Sequence, residues 1–213
     1  INAYESALTL APDYYDAWRE LAALYRVLKD HRSAAEVYEK LLSFETDRVN
    51  HMYELAYCQL KLRKYEEAIR NFETVLTMEP DYEAASAHLD AARRLALRDH
   101  IRKGKKCFLA KDAEAARGAF HRALEFGDAP AEVFYFLSVI SFDEDQDYPK
   151  SLELVNKAIA LDRSKAIYFY QRGLTEEKLN KRGEAMDSFE EALRLDSQFQ
   201  HARAIKAKFP SLK

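Results

Sequence analysis

The sequence predicts an all-α fold, a solenoid of helical hairpins, and three observations carry that prediction. Glycine and proline number 5 each in 213 residues, well under the roughly 12% of average usage. Turn-rich β-sandwiches and barrels are therefore disfavoured, as are glycine-rich phosphate loops. One ending also recurs: Ala7–Pro12 (ALTLAP) is echoed by Val75–Pro80 (VLTMEP), 68 residues later, or twice 34. The endings from Leu41 onward close an amphipathic pattern at i, i+4 and i+7, a small residue, then an aromatic (Val155 in one unit), then an aliphatic or small one, the spacing of one helix face.

Residues 1–14 read as the second half of a hairpin, so the chain is expected to be a piece of a longer protein. The first full hairpin, 15–48, carries Trp18, Leu21-Ala22 and Tyr25, then Ala34, Tyr38 and Leu41. The second, 49–82, carries Leu55-Ala56, then Ala68, Phe72 and Val75. Residues 83–96 are Ala-rich (Ala84, Ala85, Ala87, Ala91, Ala92) and read as a lone helix covering the end of that array. No Pro or Gly occurs from Asp81 to Lys103. The covering helix therefore either runs on, for about 28 residues and roughly 40 Å, or breaks near Asp99-His100. Hairpins 97–130, 131–165 and 166–199 follow, with Ala116, Phe120, Ala123, then Ser151, Val155, Ala158, then Ala185, Phe189, Ala192. Residues 200–213, with Ala202, Ala204 and Ala207, read as a second covering helix. The organisation expected is two arrays, 1–96 and 97–213. In each hairpin a small residue (Ala22, Ala56, Gly104, Ser138, Gly173) stands on the first helix, so that its partner can approach closely.

These residues resemble the tetratricopeptide repeat family, whose unit is two antiparallel helices in 34 residues. Trp18, Leu21, Ala22, Tyr25, Ala34 and Tyr38 occupy six motif positions; Leu55, Ala56, Ala68, Phe72 and Pro80 occupy five of the next unit. Gln59, Cys107, Ser141 and Glu176 depart from the motif's aromatic, and Lys103 and Arg172 from its leucine, so looser packing is expected there. The resemblance implies a right-handed superhelix whose concave face is lined by the first helix of each hairpin.

Composition narrows function by exclusion. The formal charge is −3, with 33 Lys+Arg against 36 Asp+Glu, so bulk electrostatics call for neither nucleic acid nor membrane. No apolar run reaches the 18–20 residues of a membrane span. Cys58 and Cys107 read as small hydrophobes in a reducing compartment, which points to the cytoplasm. The six histidines show no i, i+4 pair and no cysteine at metal spacing. No nucleophile elbow, P-loop or dinucleotide fingerprint occurs, so neither enzyme activity nor a cofactor is expected. Asp143-Glu144-Asp145-Gln146-Asp147 imitates a calcium loop, but Tyr148 stands at the glycine position and Leu154 at the bidentate Glu position. It reads instead as an acidic connection one residue longer than the period.

Partner binding is the expected function, through groove positions implied by the resemblance. Tyr53, Tyr57, Tyr135, Phe142 and Tyr170 are expected as apolar anchors, with Phe108, Val139 and Leu174 beside them. Arg19, Arg26, Arg98 and Lys105 are expected to orient acidic groups. Tyr135, Val139, Phe142, Tyr170 and Leu174 should form a contiguous floor, and an exposed apolar patch signals a partner. The Lys and Asn of a chaperone carboxylate clamp have no counterpart here. The rival from another class is a structural block that self-associates through the first half-repeat. A third reading takes the basic run Arg93, Arg94, Arg98, Arg102, Lys103, Lys105 and Lys106 as a docking helix for an acidic protein or, less favoured, RNA.

Overall fold

A computed structural model of the chain describes residues 1–44 and 46–210, and all regular structure among them is helical. The chain divides into two compact units, Ile1–Ala96 and Leu97–Lys213. The first holds α1 (Asn2–Leu10), hairpin α2 (Tyr15–Val27) and α3 (His31–Leu41), a 3₁₀ turn (Leu42–Phe44), hairpin α4 (Arg48–Lys61) and α5 (Tyr65–Met78), and the start of α6 (Glu83–Leu109). The second holds the rest of α6 with α7 (Ala113–Leu124), hairpin α8 (Ala131–Asp143) and α9 (Tyr148–Leu161), hairpin α10 (Ala166–Lys178) and α11 (Arg182–Leu195), and α12 (Ala202–Lys208). This is an all-α solenoid of hairpins. Of the two courses open at Asp99-His100, α6 takes the continuous one, over 27 residues.

The repeated pattern is the core. Ala34, Ala68, Ala116, Ser151 and Ala185 are fully buried, as are the rings of Phe72, Phe120 and Phe189 four residues on. Each ring packs against the first helix of its own hairpin. At Gly104 and Gly173 the approach is so close that a Cβ would lie 2.7 Å and 2.5 Å from the rings of Phe120 and Phe189.

The turns share a device that the sequence does not advertise. Lys29, Arg63, Lys111, Gln146 and Asn180 all have φ between 52° and 62°, the left-handed conformation that closes a helix C-terminus. The amide after each donates to a carbonyl in the last turn: Asp30 to Tyr25, Lys64 to Gln59, Asp112 to Cys107 and Lys181 to Glu176. In the longer acidic connection the same bond spans one more residue, Asp147 to Ser141. Asp30, Asp112 and Asp147 then cap the next helix by accepting from the amides of Ser33, Ala115 and Lys150. Asp145 is held bidentately by Arg117 at 2.6 and 2.7 Å. The calcium-like spacing is thus spent on a cap and an ion pair.

Three of the motif departures, Gln59, Arg172 and Glu176, are hydrogen-bonded. Buried Gln59 accepts from Asn71 at 2.8 Å. Buried Glu176 accepts from Ser188, whose oxygen in turn accepts from Arg172 Nε at 2.8 Å. A second chain joins Ser138, Ser151 and Thr175 at 3.3 and 3.2 Å. At Gln59 and Glu176 a polar group replaces the aromatic and finds a partner, which is the condition for burying it.

Candidate partner-binding clefts

In the first unit, α2, α4 and the start of α6 converge on a cleft of about 660 Å³. Successive turns of α4 put Tyr53, Tyr57 and Lys61 on one face, with Glu54 beside them. Arg26 comes from the last turn of α2, Lys29 from the turn after it, His31 from the start of α3 and His88 from α6. The rings interlock: Tyr57 and His88 meet edge-on at 5.2 Å, and His31 meets Tyr57 edge-on at 6.2 Å. The Tyr53 hydroxyl lies 3.1 Å from His88 Nδ1, and burial raises its pKa, with Tyr82 adding to the effect. Arg26 donates to Glu54 at 2.7 Å. Lys61 Nζ stands 4.8 Å from the centre of the Tyr57 ring, within cation–π range. His31 Nδ1 is buried without a hydrogen-bond partner.

The second unit has a cleft of about 460 Å³ with an apolar wall of Phe108, Leu109, Val139 and Ile140. Its charged lining is Asp143, Glu144 and Lys111, and burial raises the pKa of Asp143, helped by the neighbouring Glu144 charge.

The predicted residues therefore scatter. Arg26, Tyr53 and Tyr57 line the first cleft and Phe108 and Val139 the second. Arg19 is exposed and pairs with Asp16 and Glu20 on its own helix. Arg98 is exposed on α6, and Lys105 is bonded to Glu132 beside the Phe136 ring. Tyr135 packs between Phe136 and Tyr168, its hydroxyl pushed up to about 12 by burial. Tyr170 is stacked on His201 at 4.4 Å and meets Phe199 edge-on. Leu174 packs against the same core, and Phe142 lies edge-on to Tyr148 at 5.3 Å. Of the floor expected of Tyr135, Val139, Phe142, Tyr170 and Leu174, all half-buried, Tyr135 and Tyr170 lean on rings of their own unit while Val139 lines the second cleft. A groove position also faces the neighbouring helix, and a large ring gains more area by leaning on that neighbour than by standing in water.

Lys29, His31 and His88 were not legible as site residues. A turn, a helix start and the lone helix supply them, and the motif assigns none of those to the groove. In the basic run, Arg93 is bonded to Glu73, Arg102 to Asp99 and Lys105 to Glu132. Among the described residues no three His, Cys, Asp or Glu side chains gather as a metal site requires, and no helix is long and apolar enough to cross a membrane.

Family models of the tetratricopeptide repeat match residues 1–48, 52–82 and 166–199, more than half of the chain. No curated protein matches it. Among solved structures, the P58(IPK) TPR domain is 19% identical with a TM-score of 0.49, over 98% of this chain and 58% of that one. YrrB, described as a TPR protein with an unusual peptide-binding site, is 16% identical with a TM-score of 0.43, over 96% and 98%. MamA from Desulfovibrio magneticus RS-1 is 18% identical with a TM-score of 0.39, over 88% and 98%.

Proposed function

Because the chain belongs to the tetratricopeptide repeat superfamily, we propose that it is a non-enzymatic scaffold gripping a segment of another protein in the cleft of its first unit. The observation that carries this reading is the row Tyr53, Tyr57, Lys61 on one face of α4, left beside open space and flanked by Arg26 and His88. Tyrosine suits such a place, since its ring brings contact area and its hydroxyl stays satisfiable at the rim. Panning a random peptide library against the protein tests it. Selected peptides should lose about 1–3 kcal/mol of binding on Tyr57→Ala, the usual hot-spot scale, with helicity unchanged by circular dichroism. Peptides that bind wild type and variant alike would reject the cleft.

Self-association is the second reading, supported by Leu10 of α1, which is 88% exposed, and Tyr14 just beyond it at 52%. Sedimentation that stays monomeric over a hundredfold concentration range would exclude it.

A further inference from the structure

We propose that the occupant of the first unit's cleft is an acidic protein segment, an assignment that rests on reading that cleft as a binding site. The first unit as a whole is acidic: residues 1–96 hold 12 Lys+Arg and 17 Asp+Glu, a formal −5. The cleft reverses that sign, with three cations (Arg26, Lys29 and Lys61) against the single carboxylate of Glu54. That carboxylate is already matched by Arg26 at 2.7 Å, so Lys29 and Lys61 stand as surplus positive charge. A cation concentrated in a concavity of an oppositely charged body is a local feature, and field lines focused in a cleft favour ligands of opposite sign. Lys61 is also held in place by its contact with Tyr57, which lowers the ordering cost of meeting a carboxylate. The volume, about 660 Å³, falls within the roughly 300–1,000 Å³ of known binding clefts. The aromatic edges of Tyr53 and Tyr57 leave room for apolar side chains between the acids. The second unit's cleft carries two carboxylates, Asp143 and Glu144, against the single cation Lys111, and should bind the same ligand more weakly.

Three fluorescein-labelled hexapeptides of alternating Tyr with Glu, Gln or Lys provide the test, read by fluorescence anisotropy on the intact chain. The Glu peptide should bind at least tenfold tighter than the Gln peptide, and its affinity should fall with added salt. The double variant Lys29→Glu with Lys61→Glu should abolish that preference and turn it toward the Lys peptide. Arg70→Glu, an exposed change on α5 outside the cleft, should leave it nearly unaltered. Equal binding of the Glu and Gln peptides overturns the acidic assignment while leaving the cleft reading standing. A loss on Arg70→Glu as large as on the double variant overturns it too, since general charge would then suffice. Failure of all three peptides to bind also overturns it, and the library selection then judges the cleft by itself.

Discussion

Adding one methyl group at Gly173 measures how tightly a hairpin is closed. A Cβ there would sit 2.5, 2.7 and 2.9 Å from Cε1, Cδ1 and Cζ of Phe189, against the 3.5–4.0 Å at which carbon atoms rest. The ring has nowhere cheap to go. Phe189 is 1% exposed, with Tyr170 at 5.9 Å and Phe209 at 5.4 Å. Overpacking of this kind costs about 1–3 kcal/mol, while Gly to Ala inside a helix returns about 0.8–1.0 kcal/mol. Gly173→Ala should therefore be neutral to destabilising by about 2 kcal/mol. Gly118, in the middle of α7 and the same unit, has no atom within 4 Å of its would-be Cβ. Gly118→Ala should collect the propensity gain alone, about 0.8–1.0 kcal/mol. The difference between the two variants in urea unfolding, followed by circular dichroism, isolates the steric cost. Phe189→Leu in the Gly173→Ala background should recover part of that cost, because a smaller side chain frees the space. Gly173→Ala as stabilising as Gly118→Ala would refute the close approach of α10 and α11.

Two further outcomes concern the first unit. The N-cap of α5, Lys64, makes no side-chain cap, where α3, α7 and α9 have aspartate; Lys64→Asp should raise stability by about 0.5–2 kcal/mol, read as an upward shift of the thermal midpoint. It gives up an exposed 3.5 Å pair with Glu67, worth about 0–1 kcal/mol. His51 is buried among Tyr15 and Tyr38, and burial holds its pKa below the usual 6.5 despite the opposing pull of Asp47. Below about pH 6.5 the unfolded chain takes up the proton first, so the first unit should lose stability as pH falls through that range. His51→Gln should flatten this part of a stability-versus-pH curve, and an unchanged slope would place the acid sensitivity elsewhere.

Helices, hairpins and core rings were legible in the sequence because their causes are local. A small residue, an aromatic four positions on and another small residue three beyond define one helix face wherever they occur. Their recurrence from hairpin to hairpin, at or near 34 residues within each array, allows only neighbour-on-neighbour stacking, so the pattern alone places Phe72, Phe120 and Phe189 inside. The absence of Pro and Gly between Asp81 and Lys103 permitted a continuous α6 but did not compel it. The left-handed residues that close the turns within the five hairpins, none of them glycine, left no compositional trace at all.

The site was legible only in part, since openness is not a local property. Tyr57 and Leu174 hold the equivalent motif position in their hairpins, yet Tyr57 lines a cleft while Leu174 packs against the core of its own unit. What the next element happens to carry makes the difference. The periodic pattern of this chain dictated which faces are buried, because burial of each stripe depends on residues in its own hairpin. Only the tertiary structure decided which tyrosines stay open and which cations gather beside them, because that depends on side chains brought from turns and helices far away in the chain.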